Sequence, residues 1–293
     1  MESQMPTEIR VNAYAKVNFG LNVLPARDDG FHNIESIFQT VDLSDELDVR
    51  VSGDGRCRVG CSGLSLPEEN TLTAAYRAFR EIAGIPVPGF DVTLRKGIPA
   101  GGGLGGGSSD AAAFVRAAER LCGITLEKEQ LDYIAANTGS DVFFFLNCCA
   151  GGRGCSAVSG RGEKVKDIPG RQDLFLVLIF PGINSSTREA YAAVDRAADA
   201  GEALLGPELE EMEIVYHKAA AEWNFVNTFT DVVSKLYPRI GDALIDLRKA
   251  GAVFVDMSGS GSTVYGVYDD MQLAVRGCEF LSGIWDCKLV RTV

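Results

Sequence analysis

The chain has 293 residues, 46% hydrophobic and 23% charged, the composition of a soluble globular protein, and its length fits two domains, or one large one, better than three. Its 28 basic and 40 acidic residues leave a formal net charge of −12, which argues against broad nucleic-acid or membrane-surface binding, since both need a positive field. An anionic small ligand is still admissible where donors are locally well placed.

The N-terminal stretch MESQMPTE has no basic head and no apolar run, so neither a signal nor a transit peptide is expected, and the cytoplasm is the expected location. The longest dense apolar run, Leu174–Phe180, is too short to cross a bilayer and reads as a buried strand. Eight cysteines occur, Cys57, Cys61, Cys122, Cys148, Cys149, Cys155, Cys278 and Cys287. None forms a paired C-x-x-C motif, and His32 and His217 lie far from them in sequence. Reduced thiols are expected, with no structural metal and no disulfide.

From Ile9 to Val23 apolar residues hold the odd positions and mostly polar ones the even, which predicts a strand with one buried face and puts Lys16 and Asn18 together on the polar one. Strands are predicted near Ile34–Asp42, at Glu46–Ser52 and from Phe90. Between the last two, Asn70 or Thr71 caps a helix that stops at Gly84. After a glycine loop, SSDAAAFVRAAERLCG reads as a serine-capped helix with an acidic first turn and Gly123 as its stop. A second helix follows at LEKEQLDYIAAN, then a short segment GSDVFFFLN, then strand and turn through CCAGGRGCSAVSGRGEKV. The polar, glycine-containing stretch Gly160–Arg171 marks a domain boundary. Beyond the Leu174–Phe180 strand, Ser186 and Glu189 stand at capping-box spacing before a helix, and further helices run to about Lys249. A strand AVFVD, a second glycine loop SGSGS, a strand TVYGVYD, a helix and a strand WDCKLVR close the chain. The order predicts α+β layers, divided at residues 1–165 and 166–293.

PAGGGLGGGSSDAAA, starting at Pro99, is the densest glycine stretch in the chain. A Walker A loop needs a lysine after its last glycine, and none follows. A dinucleotide fingerprint is met by Gly101, Gly103 and Gly106, but the next helix leads to another helix and not to a second parallel strand. What fits is a phosphate cradle of another type. Glycines bring the backbone close and aim successive N–H groups at an anion, and Ser108 and Ser109 start a helix whose positive end adds to the attraction.

This motif resembles that of the kinases acting on galactose, homoserine, mevalonate and phosphomevalonate (the GHMP kinases). AYAKVNFGLNV with DDGFHNIESIFQTVDLSDELDV, GSDVFFFL and MSGSGSTVYGV match, in order, the other motifs of the bacterial 4-diphosphocytidyl-2-C-methyl-D-erythritol kinases of isoprenoid synthesis. The resemblance covers nearly the whole chain. It implies a two-domain α+β fold with the active site in the cleft between an ATP-binding N-terminal domain and a substrate-binding C-terminal one. It also implies ATP and Mg2+, a small cytidine diphosphate-linked substrate, and a monomer or homodimer without nucleic-acid or membrane partners.

Residue by residue, the resemblance makes Asp141 the base for the substrate hydroxyl and Lys16 the cation that holds it and offsets charge. The cradle is Pro99, Ala100, Gly101, Gly102, Gly103, Leu104, Gly105, Gly106, Gly107, Ser108 and Ser109, with Asn70 and Lys96 on the adenosine side. Asn18 and Thr187 fall on the substrate, Phe31 and His32 on one side of the cytosine and Tyr191 as its second stacking ring. Composition alone would leave Lys16 a solvated strand lysine, Asp141 an ordinary helix-start residue, His32 a turn histidine and Tyr191 a core ring. Two departures stand out: Phe143 where the family commonly has proline, and Phe31 where it often has tyrosine. No carboxylate matches the magnesium-binding helix glutamate of more distant relatives. The rivals are a related small-alcohol kinase, of homoserine or mevalonate type, and a non-catalytic nucleotide-binding protein of the same fold. A side chain at Gly103 is expected to exclude the nucleotide phosphates.

Overall fold

The structure, a computed structural model, describes residues 6–63, 65–148 and 151–293. Cys149 and the start of the N-terminal segment read above lie outside the described residues. In chain order the elements are β1 (Glu8–Ala26), β2 (His32–Ser52), β3 (Cys57–Cys61), α1 (Thr71–Ile82), β4 (Gly89–Arg95), α2 (Gly106–Cys122), α3 (Lys128–Ala136) and α4 (Ser140–Asn147). There follow β5 (Cys155–Gly160), β6 (Lys164–Asp167), β7 (Phe175–Phe180), α5 (Thr187–Asp199), α6 (Leu209–Tyr216), a 3-10 turn (Ala220–Glu222), α7 (Thr228–Leu236), α8 (Pro238–Lys249), β8 (Phe254–Met257), β9 (Val264–Tyr268), α9 (Met271–Ser282) and β10 (Asp286–Arg291).

Contacts gather these elements into two compact units, neither of them one continuous stretch of chain. The first holds the chain up to Ala15, Leu43–Ile98 and Gly105–Arg153; the second holds Lys16–Asp42, Pro99–Leu104 and Gly154–Val293. The division at 165, by contrast, follows sequence order.

In the first unit β4 runs antiparallel to the second half of β2, from Glu46 opposite Arg95 to Ser52 opposite Gly89, and β3 runs parallel to β4. Helix α1 starts at Asn70, whose carboxamide oxygen accepts the Leu72 and Thr73 amides at 3.0 and 3.2 Å, while the Thr73 hydroxyl accepts the Asn70 amide. The buried rings of Tyr76, Phe90 and Phe114 meet edge to face, with Phe90 and Phe114 centroids 5.5 Å apart. GSDVFFFLN is helical, and its inward residues Val142, Phe144, Phe145 and Leu146 are buried.

In the second unit the first half of β2 pairs antiparallel with β5, and β5 with β6. A separate four-stranded antiparallel sheet has the order β10-β7-β9-β8. Helices α5, α7, α8 and α9 bury Val194, Val233, Leu247 and Leu281 in the same core as Val177, Ile179 and Val264. Ser186 caps α5 by accepting the Glu189 amide at 3.3 Å, but the Glu189 carboxylate accepts from the Tyr237 hydroxyl at 3.0 Å, so the reciprocal half of the expected box is replaced by a long-range contact.

Three local expectations need correction. Strand β1 is buried on both faces from Ala13 to Val23, so Lys16 and Asn18 are 3% and 1% exposed and not on a solvated face. Alternation defines two faces but not what covers them. Strand β2 continues through the segment between the two strands predicted there. Helix α2 begins at Gly106 with Gly105 as its N-cap and no side-chain cap, so Ser108 and Ser109 lie inside the first turn and the first turn holds no acid.

Candidate active site

Within the second unit the two glycine loops are joined backbone to backbone. The Thr263 amide donates to the Gly102 carbonyl at 3.2 Å, and the Ser258 hydroxyl donates to the Gly103 carbonyl at 3.0 Å. Gly103 has φ +76°, and a β-carbon there would overlap the Ser258 carbonyl oxygen. One at Gly102 would lie 2.6 Å from the Thr263 hydroxyl. The expected exclusion of phosphates by a side chain at 103 therefore needs revising: its first collision is with the second loop.

Lys16 and Asn18 complete this junction. The Lys16 amide donates to the Leu104 carbonyl at 3.0 Å, and its Nζ donates to Asn18 Oδ1 at 2.7 Å while lying 4.5 Å from the centre of the Phe38 ring. Asn18 Oδ1 also accepts the Gly259 amide at 2.8 Å, and Asn18 Nδ2 donates to the Ser36 hydroxyl at 3.0 Å. Asn18 is thus oriented from both sides, which fixes which amide atom is oxygen. The Tyr265 hydroxyl donates to the Asn18 carbonyl at 2.7 Å, and Asn227 Nδ2 donates to the carbonyls of Met257 and Gly259 at 2.7 and 2.8 Å.

In the first unit the glycine stretch feeds into the uncapped N-terminus of α2. The Ser109 amide donates to the Gly105 carbonyl at 2.9 Å, so the amides of Gly106, Gly107 and Ser108 precede the helical ladder and form the positive end of its dipole. Ser108 is half-buried and Ser109 buried. Asp141 lies in the first turn of α4, and a β-carbon on Gly139 would sit 3.8 Å from the Ser108 hydroxyl, so the two helix starts adjoin. Three uncapped amides and a hydroxyl at one helix start are able to hold an anion, and the helix start that carries Asp141 adjoins it.

Asn70 and Lys96, expected on the adenosine side, are both engaged. Asn70 is the cap of α1 and its Nδ2 donates to the Pro67 carbonyl at 2.9 Å. Lys96 Nζ sits between two buried carboxylates, donating to Asp45 Oδ2 and, at 3.0 Å, to Asp110 Oδ2. Burial opposes its charge, but Asp110 and Asp45 together raise its pKa above the ordinary lysine value. Burial first, and the Asp45 charge second, push Asp110 up to about 7.

In the second unit His32 and Tyr191, expected on opposite sides of a cytosine, are in direct contact. Their rings stack with centroids 5.0 Å apart and an interplanar angle of 26°, and Tyr191 in turn meets Phe229 edge-on at 4.9 Å. His32 Nδ1 lies 2.8 Å from the Leu24 carbonyl, a backbone contact that sets the ring's orientation, and Nε2 lies 3.3 Å from Asp195 Oδ1. Phe31 is 49% exposed, with the Arg161 guanidinium 3.7 Å from its ring centre. Thr187 Oγ1 is 3.0 Å from the Ser260 hydroxyl, and the Ser185 hydroxyl donates to the Ser260 carbonyl at 3.1 Å, so the start of α5 is tied to the second glycine loop.

Asp45, Ser36, Ser258 and Asn227 carry no local signal of a role, and Asp110 reads from sequence only as an acid in the first turn of its helix. Each gains a role from a partner distant in the chain, which a local pattern does not carry.

The GHMP kinases N terminal domain profile matches residues 70–148, and the GHMP kinases C terminal profile matches residues 207–282. A 4-diphosphocytidyl-2-C-methyl-D-erythritol kinase of Treponema pallidum (strain Nichols) is 39% identical over 291 residues, covering 97% of this chain and 97% of its own. The enzyme of that name from Caldanaerobacter subterraneus subsp. tengcongensis is 35% identical, covering 95% of this chain and 94% of its own. Among solved structures, a crystal structure of 4-(cytidine 5'-diphospho)-2C-methyl-D-erythritol kinase superposes with a TM-score of 0.77 at 31% identity, covering 97% of this chain and 99% of that one. Homoserine kinase from Cytophaga hutchinsonii gives 0.73 at 21% identity, over 100% of this chain and 97% of that one, a likeness of fold.

Proposed function

The chain belongs to the 4-diphosphocytidyl-2-C-methyl-D-erythritol kinases of the GHMP kinase family, and from that membership we propose that it transfers the γ-phosphoryl group of ATP to the 2-hydroxyl of 4-diphosphocytidyl-2-C-methyl-D-erythritol. The products are the 2-phosphate and ADP, a step in making isoprenoid precursors by the methylerythritol route. The observation that carries the reading is identity of 39% with an enzyme of that name over 97% of both chains. An exposed ring at Phe31, next in the chain to the His32 that packs on Tyr191, supports it against homoserine or mevalonate, which have no base to stack.

Asp141 accepts the proton of the 2-hydroxyl as that oxygen forms its bond to the γ-phosphorus and the bond to the ADP oxygen breaks. Lys16, oriented by Asn18, offsets the negative charge that develops. The amides of the glycine loop and of Gly106, Gly107 and Ser108 hold the phosphate oxygens. Asn70 and Lys96 line the adenosine side. Asn18 and Thr187 contact the substrate, with Phe31, His32 and Tyr191 around the cytosine.

Among the described residues no three His, Cys, Asp or Glu side chains are grouped to hold a metal. Mg2+ would be carried in on the nucleotide, with the Ser108 hydroxyl as a hard oxygen donor beside it, and would neutralise phosphate charge. The nucleotide and substrate roles are assigned to residues 1–165 and 166–293, and the two family profiles fall one on each side of that line. Among the described residues no helix is long and apolar enough to cross a membrane. The enzyme works in the cytoplasm on a small molecule, as a monomer or homodimer, with no nucleic acid or membrane as partner.

The test is ADP release, measured with ATP, Mg2+ and each of the cytidylylated methylerythritol, homoserine and mevalonate. Turnover with the first alone is expected; turnover with either of the others, and none with the first, would replace this reading by its rival.

A further inference from the structure

Asp45 has no part in the reaction as described, yet it is fully buried. It occupies an inward position of β2 in the series Leu43, Asp45, Leu47, Val49, where every other member is apolar. A carboxylate in such a place is costly unless it is fully engaged. All three of the groups that donate to it, on Lys96, Gly97 and Ile98, lie at the entry to the phosphate loop, and one of them, Lys96, reaches across to the helix at its exit.

One oxygen, Oδ1, accepts the amides of Gly97 at 2.6 Å and Ile98 at 2.8 Å, the last two residues before Pro99. The other, Oδ2, accepts from Lys96 Nζ, which also donates to Asp110 Oδ2 in the first turns of α2 at 3.0 Å. Close packing supports both halves. A β-carbon at Gly97 would overlap the Ser44 carbonyl oxygen, so the two main chains touch, and one at Gly106 would lie 3.3 Å from Lys96 Nζ. The chain leaves the first unit after Ile98 and re-enters it at Gly105. Asp45 therefore grips the strand that departs and, through Lys96, the helix that returns.

We propose that Asp45 is a positioning residue for the nucleotide: its two carboxylate oxygens fix the entry and the exit of the glycine loop at a set separation, so that the loop's amides are aimed before ATP arrives. The proposal rests on the reading of this loop as the ATP cradle. The physical need is plain. Glycines have the most conformational freedom to lose, and a loop ordered in advance binds its ligand without bearing that cost at the moment of binding. Asp110 is the relay on the helix side, and its second oxygen, Oδ1, is buried without a hydrogen-bond partner. That oxygen is what makes the cluster asymmetric: Asp45 is saturated and Asp110 is not.

The experiment uses the full chain and a fluorescent N-methylanthraniloyl-ADP as probe, with KM for ATP and for the cytidine substrate measured beside it. Asp45→Asn keeps an oxygen for the two amides but loses the charge that faces Lys96; Asp45→Ala loses both. Val49→Ala, a core truncation on the same face of β2, controls for plain loss of stability. The dissociation constant of the probe and KM for ATP are expected to rise about 10-fold in Asp45→Asn and about 100-fold in Asp45→Ala. KM for the cytidine substrate should stay within about twofold, and amide hydrogen exchange should quicken in residues 99–109. An equal rise in Val49→Ala at matched thermal stability overturns the proposal, as do wild-type affinity and unchanged loop exchange in the Asp45 variants. Should Asp45→Ala not fold, Asp45→Asn decides. A wild-type protein that fails to bind the probe refutes the cradle reading and the proposal with it, whereas tight binding by wild type and variants alike refutes the proposal alone.

Discussion

Gly103 and Ser258 meet so closely that no β-carbon fits between them: the Ser258 carbonyl oxygen occupies that space, and the Ser258 hydroxyl donates to the Gly103 carbonyl. The two glycine loops, 155 residues apart in the chain, are therefore parts of one structure. Some of the glycines serve the fold and others are free to serve a ligand, and substitution can tell them apart.

Gly103→Ala meets both a positive φ and a backbone collision, and should lose about 3 kcal/mol of stability together with nucleotide affinity. Gly107→Ala meets ordinary contact at 3.5 Å from the Thr71 hydroxyl, inside a helix, and should gain about 0.5–1 kcal/mol. Thermal unfolding with and without ADP measures both; a Gly103→Ala protein as stable as wild type, or a Gly107→Ala protein less stable than it, contradicts this division.

Asp141→Asn keeps the shape and a hydrogen-bonding oxygen in the first turn of α4 but cannot take up the substrate proton. Turnover should fall by about 10²–10⁴-fold, with the affinity for ATP and the cytidine substrate little changed. Near-normal turnover would strip Asp141 of the role of base.

His32→Ala removes the ring stacked on Tyr191. KM for the cytidine substrate should rise about 10-fold while KM for ATP stays put, since stacking on a base is worth about 1–3 kcal/mol. Equal effects on both constants would show that His32 supports the fold and not the base.

Asp110 gives a pH dependence with a definite sign. Its ordinary value is 3.8, and burial and Asp45 push it to about 7 in the folded chain. Between those values the folded state keeps a proton that the unfolded state has released. This contribution is complete below the unfolded value and is lost as pH rises through the folded one. Cys61 is the other titrating neighbour, and burial raises it above the ordinary thiol value, away from this window. Asp110→Asn keeps an acceptor for Lys96 and removes the titration, so its gain in melting temperature over wild type should be larger at about pH 8 than at about pH 5. A gain that is flat or reversed with pH contradicts the assignment.

What could be read from sequence, and what could not, follows from the range of the interactions. The strand at β1 and the Asn70 cap depend on neighbours within a few residues, and both elements are present, although β1 does not have the single buried face its alternation suggests. The burial of Lys16 and Asn18 depends on Gly259 and Leu104, far along the chain, and the even face of a strand looks equally polar whether water or a network covers it. Asp45 is the sharpest case. In DLSDELDV it reads as a break between two strands, yet β2 runs straight through it, because amides at Gly97 and Ile98 meet its charge. Strand β3 carries Arg58 and Gly60 among turn residues and exists through its parallel pairing with β4. At α2 the run of glycines hides the first turn, since low helix propensity at Gly106 and Gly107 is outweighed by packing on Ile98 and Thr71.

The chemical position of the new phosphate tests the proposed transfer most directly. The cytidylylated methylerythritol, ATP and Mg2+ are incubated with the protein, and the product is examined by phosphorus-31 NMR with proton coupling and by mass spectrometry. One added phosphoryl group is expected, present as a monoester on the 2-hydroxyl, beside an intact cytidine diphosphate and one equivalent of ADP. A phosphate on another hydroxyl, or ADP formed with the cytidine compound unchanged, would contradict it.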